Sequence, residues 1–299
     1  MIAGRARGYT VLMRLMRPFT VAVLLPLAAC SRAVNLLQPD APAFRGEYGR
    51  APAAAAELGR PDRLRVVSFN IKWGREIDAA IAMLRSLPLA GADVIALQEM
   101  DSAGVDSIAR ALRMNYAYFP SSRHPTVGYG YFGPAVLSPW PIERSWKVLL
   151  PGRSLSRRQG RTATGVVLRI GPTRVRAYSL HLEHPAQMLE ETRRRQALAV
   201  LTDAAGADPG EPVVIAGDFN SRETAAYVAL SGWQWATRGI GPTVGGLFAF
   251  DHILACGLAT ESPARVGRAP DPHHASDHLP VWADLVFTAS CLAPPHGAR

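Results

Sequence analysis

Cysteine is scarce in this sequence, with three among 299 residues, and no CxxC pair or cluster of cysteine and histidine suggests a zinc site. Charged residues are also few, at 19%, whereas apolar residues make up 48%. Intrinsically disordered chains have the opposite composition. The sequence therefore predicts a folded protein, and its length permits one large domain or two ordinary ones, either with a sizeable core.

The apolar stretch near the N-terminus is too short to span a bilayer. It covers residues 19–29, whereas a membrane-spanning helix needs roughly 20 apolar residues. Four arginines and no acid accompany it within residues 1–29, and it ends in small residues. This combination predicts a secretory signal peptide at residues 1–29.

The tetrapeptide that ends at Cys30, Leu-Ala-Ala-Cys, resembles the bacterial lipobox, whose cysteine becomes the lipidated first residue of the mature protein. Ser31 after it favours the outer membrane, by resemblance to the sorting rules of Gram-negative bacteria. We therefore expect an exported protein, lipid-anchored through Cys30 in a bacterial membrane, in the outer membrane and facing the periplasm. An ordinary cleaved signal peptide with a chance cysteine is the alternative.

The formal net charge of +9 comes from 33 basic and 24 acidic residues, and it suggests a nucleic-acid or membrane-surface partner. Removal of residues 1–29 takes away four arginines and leaves 29 basic against 24 acidic residues, or +5. Much of the basic excess is therefore targeting information. Two further cysteines, Cys256 and Cys291, either form a disulfide in an oxidising periplasm or remain apart, with Cys256 as a buried thiol.

The mature chain divides into three parts by composition. Residues 30–62 are rich in alanine, proline, glycine and arginine without a sustained period, which predicts a tether. Residues 63–287 alternate strand-like and helix-like patterns without an internal repeat, which predicts one α/β domain, and residues 288–299 form a C-terminal tail. Strands are predicted at 64–69, 93–97, 135–137, 163–169, 174–180, 213–216, 249–254 and 281–286, and helices at 76–88 and 186–205.

Several of these strands end directly in polar residues. Asn70 ends the first strand, Gln98-Glu99 ends the second, His181 ends another, and Asp218 follows a fourth. A single polar strand end is common as a cap. Because α/β folds build active sites from the ends of buried strands, four or five such ends in one domain predict an active site.

The polar residues at these positions are of two chemical kinds. Carboxylates and amides are hard oxygen ligands, which suit Mg²⁺ or Mn²⁺. Histidines hydrogen-bond a phosphate or act as acid and base. A metal, an acid that aligns water and a histidine together describe phosphate-ester hydrolysis. The oxygen donors are Asn70, Glu99, Asp218, Asn220, Asp251 and Asp277, and the histidines are His181 and His278.

The segments that carry these residues resemble motifs of the endonuclease/exonuclease/phosphatase superfamily, which includes deoxyribonuclease-I-like enzymes. They occur in the family's order and cover nearly the whole domain. Pro134 departs from the pattern, because the family usually has asparagine there. The matching segments are Ser68-Phe69-Asn70-Ile71, Ile95-Ala96-Leu97-Gln98-Glu99, Ser179-Leu180-His181-Leu182, Gly217-Asp218-Phe219-Asn220, Phe250-Asp251-His252-Ile253-Leu254 and Ser276-Asp277-His278-Leu279-Pro280.

The resemblance implies a fold and a metal site. The fold is a four-layer α/β sandwich, in which two mixed β-sheets pack face to face with helices outside. Glu99 would bind a divalent cation, Mg²⁺ or Mn²⁺, with Asn70 and Asp277 close to it.

The resemblance also implies catalytic roles. Asp218 would orient or deprotonate the attacking water, and Asn220 would hold a phosphoryl oxygen. His278, oriented by Asp251, would contact the phosphate or act as base. The remaining expectations are that His181 assists the leaving group and that Arg161 either contacts the phosphate or is a surface charge.

Three functions remain open at this level. The first is a metal-dependent phosphodiesterase or endonuclease acting on a phosphodiester, with nucleic acid as a candidate partner. The second is a phospholipid or sugar-phosphate hydrolase of the sphingomyelinase or inositol-phosphatase kind, since lipidation would hold the site near headgroups, although no long apolar hairpin for bilayer insertion is visible. The third is a non-catalytic binding lipoprotein. We expect a monomer in each case.

Two groups of side chains bear on the substrate. The basic residues could steer a polyanion, although consecutive arginines on a helix spread around it rather than forming one patch. The aromatic residues could line a groove or stack on bases, but such residues more often belong to the core. The basic residues are Arg153, Arg157, Arg158, Arg161 and Arg193–Arg195, and the aromatic residues are Tyr129, Tyr131, Phe132, Trp140 and Trp146.

Overall fold

A computed structural model describes residues 33–123, 130–230, 232–271 and 273–288, all within the compact unit Ser31–Arg299. The expectations for the signal peptide, for lipidation at Cys30, for Tyr129 and for residues 289–299 lie outside the described residues. The helices are α1 Pro52–Glu57, α2 Ile77–Leu84, α3 Ser102–Leu112, α4 Glu190–Ala204 and α5 Arg222–Leu230. Within the described residues, none of the helices is long and apolar enough to cross a bilayer.

The strands form two mixed sheets. The larger sheet has the order β1-β6-β7-β4-β3-β16-β14, with β5 pairing β7 and β2, and β15 pairing β16; the smaller has the order β12-β13-β11-β10-β9-β8. The strands are β1 Val34–Asn35, β2 Phe44–Gly46, β3 Arg63–Asn70, β4 Val94–Met100, β5 Asn115–Tyr118, β6 Ser122–Arg123, β7 Tyr131–Ser138, β8 Ile142–Leu150, β9 Arg161–Ile170, β10 Thr173–His181, β11 Val213–Asp218, β12 Gln234–Trp235, β13 Asp251–Cys256, β14 Leu258–Thr260, β15 Val266–Arg268 and β16 Val281–Phe287.

Burial on both faces of the central strands explains their continuous apolar runs. In β3, Leu64 and Val66 pack between the two sheets, whereas Val67 and Phe69 pack against α2 and α3. The outer face of the smaller sheet is covered in the same way by α4 and α5. The layers are therefore helix, sheet, sheet and helix, which confirms the four-layer sandwich.

The segment before β3 differs from the predicted tether. Residues 33–62 contain β1, β2 and α1, and Ala55 of α1 is fully buried in the core between the sheets. The ammonium of Lys147 donates to the carbonyls of Leu36 at 2.8 Å and Ala41 at 2.9 Å. A composition rich in small residues and proline thus forms short elements that pair with the domain, because tertiary contacts replace the missing local periodicity.

The parallel strand pairs bring the polar strand ends together. β3 pairs with β4 in parallel, with Asn70 opposite Gln98, and β10 pairs with β11 in parallel, with His181 opposite Asp218. β13 runs antiparallel to β11, so its first residue, Asp251, lies opposite Asp218. Carboxyl ends of parallel strands meet at one edge of a sheet, and the sandwich stacks these two edges.

Two further details concern the sequence expectations. The helix predicted at 186–205 begins at Glu190, because the preceding residues form the loop that follows β10. Cys256, the last residue of β13, is disulfide-bonded, so the expectation of a buried free thiol is wrong, and its partner lies outside the described residues.

Candidate active site

Asn70 connects two acids at the ends of β3, β4 and β11. Its amide nitrogen lies 3.3 Å from Oε1 of Glu99 and 3.0 Å from Oδ2 of Asp218, and it donates to both. Its Oδ1 accepts from the backbone N–H of Lys72 at 3.1 Å. Asn70 thus bridges the two carboxylates with its N–H groups. It lies close to the predicted metal ligand Glu99, as expected, but its own Oδ1 faces the backbone of Lys72.

An irregularity in β4 directs Glu99 into the site. The register of β4 against β7 shifts between Leu97 and Met100, and Glu99 has a φ of 58° in the left-handed region. Such a bulge re-aims one side chain of a strand. Oε2 of Glu99 accepts from the backbone N–H of Trp73 at 3.2 Å. Burial raises the pKa of Glu99, and the positive charges of Arg161 and His278 offset only part of that effect.

Asp218 is buried, at 1% exposure. Its Oδ1 accepts from the backbone N–H of Asn220 at 2.8 Å. The preceding residue must be glycine, because a Cβ on Gly217 would lie 2.1 Å from the carbonyl oxygen of Leu180 on the neighbouring strand. Burial raises the pKa of Asp218 to about 7, with the charge of His278 opposing the shift.

His278 and Asp251 form a buried pair. Nδ1 of His278 lies 2.9 Å from Oδ2 of Asp251, and its Nε2 lies 3.9 Å from Oδ2 of Asp218. Burial lowers the pKa of His278, but the charges of Asp251 and Asp218 outweigh burial and raise it to about 10. His278 therefore carries a proton at neutral pH.

His181 flanks the same acid from the other side. Its Nε2 lies 3.4 Å from Oδ2 of Asp218 and 4.0 Å from Oε1 of Glu99. Nη1 of Arg161 lies 3.0 Å from its Nδ1. Burial, together with the charge of Arg161, holds the pKa of His181 well below its usual range. Asp218 thus stands between a neutral and a protonated histidine.

Arg161 is not a surface charge, contrary to one of the two expectations for it. The residue is 8% exposed, and its guanidinium makes two hydrogen bonds to Glu183, at 2.8 Å and 3.1 Å. Sequence reasoning missed Glu183, although an acid two residues after the strand-end His181 is a signal that could have found it. The pair holds the cation against the His181 ring and limits its net charge.

Asn220 and Asp277 both have partners within the chain. The amide nitrogen of Asn220 donates one hydrogen bond to the carbonyl of Leu182 at 3.0 Å, which fixes the side chain beside Asp218 and leaves its second N–H for another acceptor. The side chain of Asp277 is 51% exposed and pairs with the ammonium of Lys72 at 3.2 Å. Asp277 is nonetheless close enough for its charge to raise the pKa of Glu99.

Aromatic rings line one wall of the site. The ring of Phe132 lies 5.9 Å from the ring of His181, and the ring of Trp73 lies 4.6 Å from that of Phe132. Sequence reasoning missed Trp73. The other described aromatic residues considered from the sequence pack elsewhere, and Trp140 is hydrogen-bonded to Asp93 in the core. Trp146 packs edge-on against Tyr178, and Tyr131 packs against Phe44.

The donor chemistry of the site fits a divalent cation at Glu99. Glu99 is a buried carboxylate that the nearby positive charges do not fully compensate, and Asp277 adds a second hard oxygen donor near it. Asp218, Asp251 and His278 also place ligand atoms within 4.8 Å of one another, the one such cluster among the described residues. That cluster is a second candidate position for a cation, beside the one at Glu99.

A four-layer sandwich with acids and histidines gathered at its strand ends defines a hydrolytic enzyme. The Endonuclease/Exonuclease/phosphatase family matches residues 67–278, which is most of the chain, and the chain belongs to this family. It is therefore an enzyme that hydrolyses phosphate esters, and the members of its family generally use divalent metals. Of the three functions left open by the sequence, non-catalytic binding is therefore wrong. No match was found among curated proteins.

Solved structures share the fold at low sequence identity. An endonuclease/exonuclease/phosphatase from Beutenbergia cavernae DSM 12333 is 20% identical, with a TM-score of 0.62 over 80% of this chain and 74% of that one. The human nocturnin catalytic domain with bound sulfate is 18% identical, with a TM-score of 0.61 over 76% and 95%. A mannosyl-6-phosphatase of Bacteroides thetaiotaomicron VPI-5482 is 17% identical, with a TM-score of 0.54 over 75% and 100%.

Proposed function

We propose that this enzyme is a phosphodiesterase that requires Mg²⁺ or Mn²⁺ and uses Asp218 to activate water. The observation that carries the proposal is the position of Asp218, whose Oδ2 lies 3.0 Å from Asn70, 3.4 Å from His181 and 3.9 Å from His278. An acid whose pKa is raised by burial to about 7 accepts a proton readily at neutral pH.

A diester fits the surroundings of Asp218 better than a monoester. The cations Arg161 and Lys72 are each paired with a carboxylate, so neither adds uncompensated positive charge for the second negative charge of a monoester dianion. The rings of Phe132 and Trp73 offer an apolar wall on which the second ester group can rest. A nucleic acid is one such diester, and a lipid headgroup is another.

The residues divide the work as follows. Asp218 orients the attacking water and takes its proton while the water oxygen bonds to phosphorus and the phosphorus–oxygen bond to the leaving group breaks, the leaving oxygen departing as an anion that solvent protonates. His278, held by Asp251, places its positive charge against the phosphoryl oxygens, and His181 donates a hydrogen bond to the leaving oxygen. Asn220 contributes its backbone N–H, which holds Asp218, and Arg161 positions His181.

The metal belongs at Glu99, with Asp277 as a further oxygen donor and Asn70 as the group that holds Glu99 in place. When bound, Mg²⁺ or Mn²⁺ supplies positive charge that stabilises the negative charge developing on the phosphate. The neutral amide of Asn70 donates to both Glu99, the proposed metal ligand, and Asp218, the proposed base. The two carboxylates can therefore lie close together without sharing a proton.

The proposed setting is the outer membrane, with the chain anchored through a lipid on Cys30 and facing the periplasm as a monomer. The experiment compares lipid labelling of the unchanged chain and of Cys30→Ser in cells. We expect label on the unchanged chain and none on Cys30→Ser. Absence of label from both would contradict anchoring.

The catalytic proposal is tested with the chain Ser31–Arg299, which contains all three hydrophobic clusters. Bis(4-nitrophenyl) phosphate, 4-nitrophenyl phosphate, plasmid DNA, RNA and sphingomyelin are each offered with Mg²⁺, with Mn²⁺ and with EDTA. We expect diesters to be hydrolysed faster than the monoester, and only with metal. Turnover of the monoester alone would contradict a phosphodiesterase, and turnover in EDTA would contradict a metal requirement.

A further inference from the structure

The first described residues lie beside the active site. β1 pairs with β6, and the backbone N–H of Ala33 donates to the carbonyl of Arg157 at 3.2 Å. Oδ1 of Asn35 accepts from the N–H of Gly160 at 2.6 Å. The next residue, Arg161, contacts His181 of the site. The N-terminal strand β1 is thus joined to the loop 151–160. This loop leads directly into β9, whose first residue, Arg161, lies in the active site.

The length of chain before Ala33 limits where a lipid anchor can be. Two residues separate Cys30 from Ala33, and three extended residues span at most about 11 Å. A lipid carried by Cys30 would therefore enter the bilayer within about that distance of the position of Ala33. Since Ala33 lies beside the loop 151–160, the anchor would bring the active-site end of the domain to the membrane.

Apolar side chains are exposed at this same end. Leu155 is 72% exposed and Leu189 is 79% exposed, and Val34 of β1 is 52% exposed. The loop 151–160 is tied to the loop 182–189, which follows β10, because the N–H of Leu155 donates to the carbonyl of Gln187 at 3.2 Å. Both loops adjoin the site, since one ends before Arg161 and the other begins after His181.

Exposed arginines accompany these leucines. The loop 151–160 carries Arg153, Arg157 and Arg158, all exposed, and contains no acid. The acid of the other loop, Glu183, is buried and neutralised by Arg161. The surface therefore combines positive charge with large exposed apolar side chains, whereas a site for a free polyanion would need only the charge. We call the set Val34, Arg153, Leu155, Arg157, Arg158 and Leu189 the docking face.

We propose that the docking face binds an anionic lipid surface, with its leucines in the headgroup region and its arginines on lipid phosphates. The inference rests on the proposed anchoring for the position of Cys30, and on the described residues for everything else. Its consequence is orientation: the catalytic end faces the bilayer, so diesters in lipid headgroups lie nearest the site.

The test uses Ser31–Arg299, without the lipid, and vesicles of phosphatidylcholine with or without 30% phosphatidylglycerol. Leu155→Cys and Leu189→Cys are labelled with a polarity-sensitive fluorophore, and Leu230→Cys is the matched control, because Leu230 is 86% exposed at the far end of α5. We expect the fluorescence at positions 155 and 189 to rise and shift to the blue on anionic vesicles only, with no change at position 230.

Sedimentation with the same vesicles tests the charges. Arg157→Glu is expected to lower the bound fraction about tenfold, since each arginine near an anionic surface contributes substantially to binding. Arg144→Glu, exposed on β8 away from the docking face, makes the same charge change and should have little effect.

Three outcomes would overturn the inference: no binding to anionic vesicles, equal signals at positions 155 and 230, or equal losses in the two arginine variants. Binding of DNA that needs Arg157 while vesicle binding is absent would also overturn it in favour of a polyanion. These measurements involve no turnover, so they fail or succeed independently of the hydrolysis assays.

Discussion

Non-glycine residues with a positive φ surround the acids, among them Glu99 with φ 58°, Asn220 with φ 49° and Trp73 with φ 63°. Such conformations cost of order 1–3 kcal/mol each and persist only where surrounding contacts enforce them. Each of these three has a consequence in the site. Glu99 turns its carboxylate out of β4, Asn220 brings its N–H onto Asp218, and Trp73 brings its N–H onto Glu99. These strained conformations therefore orient the carboxylates of Glu99 and Asp218.

At this scale the first prediction concerns Asp218→Asn. We expect kcat to fall by about 10²–10⁴-fold, because the amide cannot take a proton from water. The midpoint of thermal unfolding in EDTA at pH 8 should stay constant or rise, because burial raises the folded pKa of Asp218 to about 7 and so makes its ionised form unfavourable above that pH. Steady-state kinetics and calorimetry measure the two effects.

The matched control is Asp208→Asn, which removes an exposed carboxylate remote from the site. It should change neither the rate nor the unfolding midpoint. A variant at position 218 that unfolds earlier yet keeps its activity would contradict the assignment of Asp218.

Pairing of β16 with β3 depends on charge as well as on backbone hydrogen bonds. Asp284 of β16 accepts from Arg65 of β3 at 2.7 Å and 2.9 Å and from Arg265 at 2.8 Å. Burial alone would raise the pKa of Asp284, but the hydrogen bonds and charges of the two arginines lower it below its usual value. The first strand of the catalytic domain is therefore held to the last by a buried ion pair.

The second prediction concerns the pH dependence of this contact. Because the folded pKa of Asp284 is below the unfolded pKa, its stabilisation is present above the unfolded value near 3.8 and is lost as the pH falls through the folded value. Asp284→Asn should lower the free energy of unfolding at pH 7 by about 2 kcal/mol and flatten its decline in acid. Urea denaturation at several pH values measures both, with exposed Glu57→Gln as control; parallel acid profiles for wild type and Asp284→Asn would contradict the argument.

The third prediction concerns the N-terminal elements. Lys147→Met removes the ammonium that donates to the carbonyls of Leu36 and Ala41 and leaves both acceptors unpaired. We expect proteolysis within residues 33–46 to become faster and the unfolding midpoint to fall. Truncation to residues 63–299 should destabilise further, because it also empties the place of Ala55 in the core. Equal midpoints for the full and truncated chains would support a tether instead.

The whole molecule places two sheet edges against each other. Glu99 and Asp218 come from different sheets, yet both contact Asn70. The site therefore exists only when the two sheets are packed, and occupation of the site should stabilise the packing of the entire domain.

The fourth prediction follows from this coupling. Mg²⁺ at about 100 times its Kd should stabilise the folded chain by about 2.7 kcal/mol and raise the unfolding midpoint by several degrees. Glu99→Gln should abolish the rise, because it removes the carboxylate proposed to hold the metal, while Glu57→Gln should retain it. Scanning calorimetry with Mg²⁺ or EDTA measures the effect, and an undiminished rise in Glu99→Gln would place the metal elsewhere.

The sequence by itself determined the chemistry and the order of the site. Asn70, Glu99, His181 and Asp218 can be recognised because each lies at or near the end of an apolar strand. Asp251 and His278 lie at or just before the start of one, and strand boundaries of both kinds are local signals. The same locality predicted eight strands, whereas the four-layer class was implied by the resemblance to a known family. Local signals could not predict the structure of residues 33–62, whose short elements are formed by pairing with strands distant in sequence.

Only the tertiary structure decided which groups meet. Glu183 neutralises Arg161, Asn70 bridges two acids 119 positions apart along the chain from Glu99 to Asp218, and Trp73 joins Phe132 beside His181. Likewise, only the packing of β1 onto β6 brings Ala33 to the active-site end. These contacts join distant segments through hydrogen bonds and burial. Long-range contacts of this kind do not produce the periodic pattern of apolar residues from which helices and strands are predicted in a single sequence.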